Sequence, residues 1–297
     1  MCRLSNSFVK NSNPYDLVLN FAFQDERIRI VTLEGSRTNV NIPKDNLQDY
    51  DITFFVIDMG EFLKSDDWLS VFGNRIMMQK PEDMELFPPE EKGFSYIMLF
   101  DDGVKIDLTL LPVSMLEEYL TRDKLVKIML DKDNMIKTEI VPTDEDYYIK
   151  CPTERKFDDC CNEFWNVATY VSKGLLRGEI LFAIDHMNEV LRHELLRMIS
   201  WYVGTEKGFN FSLGKNYKFL DKHISKELWD NLLNTYSMSS YEEMWKSFDL
   251  CLCLFKKISK KVADSLGYNY PDYDENVTKY LETQKRISNK YLYGNRY

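Results

Sequence analysis

The sequence of 297 residues has few of the side chains that build zinc centres, with 6 cysteines and 3 histidines. No two cysteines form a C-x-x-C pair, and the adjacent Cys160 and Cys161 do not have zinc-finger spacing. No apolar run approaches the roughly 20 residues that cross a bilayer, and the N-terminus lacks the apolar core of a secretory signal. These absences predict a cytoplasmic protein with no membrane partner.

Basic residues are also outnumbered by acidic ones, so the formal net charge is −10 at pH 7. Such a field repels a long nucleic acid and suits a small cationic substrate. The apolar and charged fractions, 44% and 29%, are typical of a globular protein. We therefore expect no nucleic-acid partner, and we expect a monomer.

The periodicity of apolar residues changes near residue 150, which predicts two domains, 1–150 and 151–297. Before this point short β-rich runs alternate with helical ones, and an Asp-Gly step at Asp102 predicts a tight hairpin. After it nearly every segment has helical spacing. The expected fold is α+β, with an N-terminal α/β domain and an all-helical C-terminal domain. Predicted strands cover 28–33, 50–57, 75–78, 94–100, 104–111 and 125–130, and predicted helices cover 14–25, 157–173, 178–202, 214–223, 225–237, 240–266 and 274–293.

Carboxylates follow a Gly-Ser step in the first half of the chain. A predicted strand ends at Gly35 and Ser36, where a missing side chain lets a phosphate approach backbone amides. Asp49 and Asp51 open the next strand, and residues two apart on a strand point to the same face. Two carboxylates on one face repel each other unless a cation lies between them, and Mg²⁺ prefers such oxygen ligands.

A third carboxylate lies on the second arm of the predicted hairpin. Lys105 and Asp107 alternate there with apolar residues and share one face of the strand. Taken alone, Asp107 is more typical of a solvent-facing strand residue. The combination of Gly-Ser, D-x-D and a later strand aspartate indicates a nucleotide and metal site.

This pattern resembles the nucleotidyltransferase superfamily related to DNA polymerase β, although Glu34 stands where that superfamily usually carries an apolar residue. Nearly the whole chain after its first dozen residues resembles one family within it, the aminoglycoside 6-adenylyltransferases, which modify streptomycin. The resemblance implies a mixed sheet in the first domain. It rests on residues 24–28 (QDERI), 31–39 (VTLEGSRTN), 49–55 (DYDITFF), 77–84 (MMQKPEDM), 99–111 (LFDDGVKIDLTLL) and 214–220 (GKNYKFL).

The resemblance implies transfer of AMP from ATP to a drug hydroxyl, the 6-hydroxyl of streptomycin, with release of pyrophosphate and resistance to the drug. Asp49 and Asp51 would hold the Mg²⁺ that bridges the triphosphate. Asp107 would complete a second metal position and activate the acceptor hydroxyl, either through the metal or as a general base. The sequence leaves that choice open.

The resemblance also implies ligands for the nucleotide and the drug. Gly35, Ser36 and Arg37 would contact the phosphates, together with Lys215 and Lys218 from the helical half. Asp185 would bind the drug, whose guanidinium groups favour carboxylate partners. Further acidic candidates for the drug cleft are Asp144, Glu145, Asp146 and Glu163. Four aromatic residues could stack on a sugar or a guanidinium, although a place in the apolar core is more typical for most of them: Trp165, Tyr170, Trp201 and Tyr202.

Three other functions are compatible with parts of this pattern. The acceptor could be another aminoglycoside, a lincosamide or a protein side chain, because the three acids would be the same in each case. A non-catalytic nucleotide-binding or antitoxin-like module is a second alternative, which loss of one of the acids would favour. A plain interaction protein is the third.

Overall fold

A computed structural model describes residues 13–86 and 92–293, with side chains described as far as residue 286. The chain divides into two compact units, one ending at Asp146 and the other beginning at Tyr147. The first contains a sheet and the second is helical, so the predicted α+β fold is confirmed.

The first unit is built on a six-stranded sheet with the order β3-β4-β5-β2-β1-β6. β2 and β5 are parallel, while every other neighbouring pair is antiparallel, so the sheet is mixed as expected. The strands are β1 (Ile28–Glu34), β2 (Tyr50–Val56), β3 (Arg75–Gln79), β4 (Phe94–Phe100), β5 (Lys105–Pro112) and β6 (Val126–Asp131).

The two faces of the sheet carry cores of different size. The larger core packs under α1 (Pro14–Gln24) and the 3-10 turn Asp67–Phe72, around residues such as Phe54 and Tyr96. The opposite face has a small apolar cluster around Phe55, covered by α3 (Leu116–Tyr119). The rest of that face carries polar residues. The candidate site lies on this face. One more short helix, α2 (Met59–Leu63), follows β2.

Local sequence explains where several elements begin and turn. Asn13 caps α1 by accepting the Tyr15 amide, and Pro14 occupies the first helical position, where no amide donor is needed. The β4–β5 hairpin turns at Gly103, whose φ of 84° is unfavourable for other residues. The predicted helix start and the predicted hairpin are both confirmed.

The second unit is a bundle of helices around one apolar core. Its predicted segment 178–202 is helical but interrupted by a π-helical turn, Met187–Leu191. Helices α6 and α8 pack extensively against each other, and both contact α4. The helices are α4 (Glu154–Leu176), α5 (Ile180–His186), α6 (Arg192–Lys207), α7 (Lys226–Asn234), α8 (Tyr241–Leu266) and α9 (Tyr273–Tyr293).

The predicted helix over 214–223 is wrong. Two 3-10 turns stand in its place, Lys215–Tyr217 and Leu220–Lys222, because Asn216 and Tyr217 both have positive φ angles, 55° and 59°. The Phe219 amide donates to the Leu213 carbonyl and closes the loop. Left-handed backbone at two successive residues cannot continue a right-handed helix.

Two further findings concern membrane-spanning helices and cysteines. Within the described ranges, we find no helix with the length and apolarity that a bilayer crossing requires. Cys151, Cys160, Cys161, Cys251 and Cys253 are free thiols.

Candidate active site

Three carboxylates lie side by side across the centre of the sheet. Asp51 on β2 is directly opposite Glu34 on β1 and Asp107 on β5. Paired residues on neighbouring strands project from the same face, with Cβ atoms about 5 Å apart. The strand pairing therefore joins Asp51 and Asp107, which are 56 residues apart, in one acidic row.

The fourth acid, Asp49, lies just before β2, which begins at Tyr50 as predicted. Its carboxylate is linked to the row by Lys105. The Lys105 ammonium donates to Asp49 Oδ2 at 2.8 Å and to Asp107 Oδ2 at 2.7 Å. The structure thus brings together the three acids that the sequence singled out.

Asp51 is the acid whose ionisation is most affected by its surroundings. Burial raises its pKa, the negative charges of Asp107, Glu34 and Asp49 raise it further, and Lys105 lowers it, giving a value of about 6. A carboxylate in this position gains from any cation that enters the site.

Glu34 is held by a cluster of hydroxyls on the same face. Its Oε1 atom accepts hydrogen bonds from Thr53 Oγ1 at 2.5 Å and from Tyr119 Oη at 2.6 Å. Thr32 Oγ1 lies 3.0 Å from the same oxygen and 2.8 Å from the Tyr119 hydroxyl. Several hydroxyls directed at one carboxylate oxygen fix its position. The residue that departs from the superfamily pattern is therefore built into the acidic row.

Gly35 has a steric reason to be glycine. A Cβ atom at this residue would lie 2.7 Å from Asp51 Oδ2, and its φ is +64°. The Gly35 amide donates to the Leu125 carbonyl. Gly35 therefore matters mainly because it has no side chain, which leaves room beside the Asp51 carboxylate. Its own N–H is already bonded to Leu125.

The turn after β1 is fastened by long polar side chains. The Lys44 ammonium donates to the carbonyls of Ser36, Arg37 and Asn39. Burial lowers the pKa of Lys44, and the charge of Arg37 lowers it further. Gln48 Nε2 also donates to the Ser36 carbonyl. The half-buried Ser36 therefore lies in a turn whose backbone carbonyls are held by the side chains of Lys44 and Gln48.

Arg37 points back onto its own loop. Its guanidinium lies 3.6 Å from the centre of the Tyr50 ring and donates to the carbonyls of Gln48 and Asp49. These contacts position the backbone that carries Asp49. A phosphate contact by Arg37 stays a prediction.

Asp144, one of the candidates for the drug cleft, is buried and has a clear anchoring role. Its two oxygens accept from Asn39 and Asn41 at 3.2 and 2.7 Å. Glu145 and Asp146 both pair with Lys124. This acidic segment therefore ties the loop after β1 to the end of the first unit.

In the second unit, the residues assigned to the nucleotide and the drug are exposed. Lys215 and Lys218 lie on the turn after Gly214, and Asp185 lies on α5. A Cβ atom at Gly214 would approach Lys218 and Phe219 to 2.8 Å, so the glycine permits this turn. Their predicted roles stay predictions.

A cavity of about 460 Å³ lies between α4, α6 and the segment that precedes α4. Its acids are Asp159 and Glu163 on α4 and Glu194 on α6, and Trp201 supplies an aromatic wall. Glu194 is largely buried and pairs with Arg197 at 3.1 Å. The remaining lining residues are Lys150, Cys151, Pro152, Lys156 and Cys160.

The acidic row has the chemistry of a cation site. Asp107 Oδ1 is buried and accepts no hydrogen bond from the described residues, which is costly for an ionised oxygen. The Lys105 ammonium occupies the position of a cation between two of the acids. As the described side chains stand, no three acids, histidines or cysteines are spaced to hold a metal ion, so a metal would have to draw the carboxylates together.

Glu34, Lys105 and Tyr119 are the site residues that the sequence did not assign. Lys105 could have been found from its alternation with Asp107, since both point to one face. The link from Tyr119 to Glu34 spans 85 residues and depends on how α3 packs, which no local pattern reports.

Three comparisons show which known proteins this chain is similar to. A family model described as streptomycin adenylyltransferase matches residues 10–284. An aminoglycoside 6-adenylyltransferase from Campylobacter jejuni is 62% identical, over 92% of this chain and 94% of its own. One from Bacillus subtilis (strain 168) is 60% identical, over 90% of this chain and 95% of its own. A solved structure of an aminoglycoside 6-adenyltransferase from Bacillus subtilis is 52% identical, covers 93% of this chain and 99% of its own, and has a TM-score of 0.47. The chain belongs to the streptomycin adenylyltransferase family and is a nucleotidyltransferase enzyme.

Proposed function

We propose that this enzyme transfers AMP from ATP to the 6-hydroxyl of streptomycin and releases pyrophosphate, which confers resistance to the drug. The observation that carries the proposal is the acidic row of Asp51 and Asp107, with Asp49 beside it, in a chain of this family. The names of its relatives, aminoglycoside 6-adenylyltransferases, support the acceptor class and the position.

Asp49, Asp51 and Asp107 are the residues that would hold Mg²⁺. Their fit is supported by the unpartnered buried oxygen of Asp107 and by the ammonium between Asp49 and Asp107. Bound Mg²⁺ supplies neutralisation of the triphosphate charge and a lower pKa for the attacking hydroxyl. Glu34 keeps its carboxylate in place beside Asp51 through the hydroxyls of Thr53 and Tyr119.

The turn after β1 would bind the phosphates. Gly35 leaves space beside Asp51, and the next residue, Ser36, would supply its hydroxyl. Lys44 holds the turn in shape from its carbonyl side, which directs carbonyl oxygens away from an anion. Lys215 and Lys218 are exposed cations of the second unit, and their contact with phosphate stays a prediction.

The first unit would be the catalytic domain and the second the substrate-binding domain. Within the second unit, Glu163 and Trp201 line a cavity that would take a guanidinium group, because a carboxylate pairs with it and an indole stacks on it. Glu194 of the same cavity is already paired with Arg197. Asp185 on α5 is the second candidate for a drug contact. An ATP-dependent reaction of this kind would take place in the cytoplasm.

The acceptor is tested by incubating the purified protein with ATP, Mg²⁺ and one drug at a time, and analysing products by mass spectrometry and NMR. We expect an AMP adduct of streptomycin, esterified at the 6-hydroxyl. Kanamycin, spectinomycin and a lincosamide serve as comparison acceptors. An adduct of one of these with none on streptomycin would refute the acceptor while leaving the nucleotidyl-transfer chemistry intact.

A further inference from the structure

Among the residues that the structure describes, Lys105 is the one that contributes a cation to the acidic row itself. It lies two residues before Asp107 on β5, so both side chains project from the same face. The ammonium makes short contacts to Asp49 and Asp107, and one third of its side chain remains exposed. It therefore joins two acids that come from different segments of the chain.

The charges of the site explain why this contact matters. Glu34, Asp51 and Asp107 lie next to one another on adjacent strands, and Asp49 is close enough to raise the pKa of Asp51. The guanidinium of Arg37 is directed to backbone carbonyls instead. Lys105 thus relieves a repulsion that would otherwise push Asp49 and Asp107 apart.

The same contact opposes a metal ion. A divalent cation bound to Asp49 and Asp107 would lie within a few ångströms of the ammonium, and like charges at that distance repel strongly in a half-buried site. Lysine has a flexible four-carbon stem, so the ammonium can leave without any movement of β5. It would leave most readily when a triphosphate offers it another anion.

We propose that Lys105 is an internal competitor of Mg²⁺, occupying Asp49 and Asp107 until metal and nucleotide enter together. This inference rests on the proposed function, since it takes the three aspartates as metal ligands. Its consequence is a linkage: the nucleotide-free enzyme binds metal weakly, and the triphosphate strengthens metal binding partly by attracting Lys105 away.

The test measures Mn²⁺ binding to the nucleotide-free protein by calorimetry, with Mn²⁺ standing in for Mg²⁺ at oxygen ligands. Lys105→Met and Lys105→Gln remove the competing charge, and we expect both to bind Mn²⁺ about tenfold more tightly than the wild type. Lys105→Arg retains the charge and should bind like the wild type. Lys127→Met removes the same charge from β6 of the same sheet and controls for net charge.

Melting temperatures show whether the variants fold and give a second readout. Without metal, Lys105→Met should melt below the wild type, because the acids lose their counter-charge, and saturating Mn²⁺ should close this gap. Unchanged or weaker Mn²⁺ binding in both neutral variants would overturn the competition. Asp51→Asn distinguishes failure of the metal assignment from failure of the Lys105 competition. If this variant binds Mn²⁺ as the wild type does, the assignment of the aspartates as metal ligands is wrong. If it loses Mn²⁺ binding while the Lys105 variants bind like the wild type, only the competition is wrong.

Discussion

At the scale of single residues, the site depends on a carboxylate that is poorly solvated and surrounded by like charges. Asp51 has a pKa near 6 because of its burial and of Asp107, Glu34 and Asp49. A raised pKa means that the folded protein binds a proton between about pH 4 and 6 that the unfolded chain has already released. Folding stability without metal therefore falls as the pH rises through this window.

Asp51→Asn should remove this part of the pH dependence. The amide has the shape of the acid and carries no charge, so the variant should gain stability over the metal-free wild type as the pH rises from about 4 to 6. Above that window the gain should stay constant. Thermal unfolding of both proteins over this pH range is the measurement, and a difference that does not change with pH would contradict the environment described for Asp51.

The sequence predicted the residues of the site better than the links among them. The spacing of Asp49, Asp51 and Asp107 and their resemblance to a family motif were sufficient to single them out. The contact of Lys105 with Asp49 depends on the parallel pairing of β2 with β5, which local alternation does not reveal. The direction of Arg37 depends on the Tyr50 ring, because stacking there competes with pointing into solvent.

At the scale of elements, α3 matters because it brings one hydroxyl to β1. Tyr119 is buried at the end of this short helix and donates to Glu34, which also accepts from Thr53 on β2. The hydrogen bonds of Tyr119 and Thr53 to Glu34 therefore connect α3, β1 and β2 at the end of the acidic row. It fixes Glu34 in a region where an unpaired carboxylate would be costly.

Tyr119→Phe should lower the free energy of unfolding by about 1–2 kcal/mol, since a buried hydrogen bond to an ionised group is lost and other donors remain. Chemical denaturation measures this change. Tyr96→Phe is the matched control on the other face of the sheet, because the buried Tyr96 hydroxyl has no partner among the described residues. The control should be neutral or stabilising. Equal losses in both variants would mean that the Tyr119 hydroxyl has no special role.

Elements with clear periodicity were predicted correctly, and irregular ones were not. The six strands and the long helices follow from alternation and helical spacing. The segment 214–223 has helix-compatible residues but turns twice, and Tyr217 and Leu220 pack against the core of the second unit from that backbone. Tertiary packing overrides local propensity at such places.

At the scale of the whole molecule, the first unit would carry out AMP transfer and the second unit would select the acceptor. The net charge of −10 suits a polycationic drug over long distances. Specific recognition needs close carboxylates, and in the cavity of the second unit Glu163 lies beside Trp201, while Glu194 is already paired with Arg197. The sequence named Glu163 and Trp201 without ranking them, because their proximity depends on the packing of α4 on α6.

Glu163→Gln should raise KM for streptomycin about tenfold and leave kcat nearly unchanged, because the lost ion pair serves binding more than reaction. Steady-state kinetics at saturating ATP give both constants, and KM for ATP is the internal control. Asp185→Asn is measured alongside. A raised KM in Asp185→Asn with none in Glu163→Gln would move the drug contact from the cavity to α5.

We infer that Asp49, Asp51 and Asp107 are required for AMP transfer, and measuring pyrophosphate release is the most direct test. With ATP, Mg²⁺ and streptomycin, the wild type should release pyrophosphate, and Asp49→Asn, Asp51→Asn and Asp107→Asn should each lose at least about 100-fold in kcat, as expected for groups that stabilise transition-state charge. Glu117→Gln, an exposed acid of α3, should behave like the wild type. Pyrophosphate release that persists undiminished in the three aspartate variants, all folded as judged by their melting, would contradict the account.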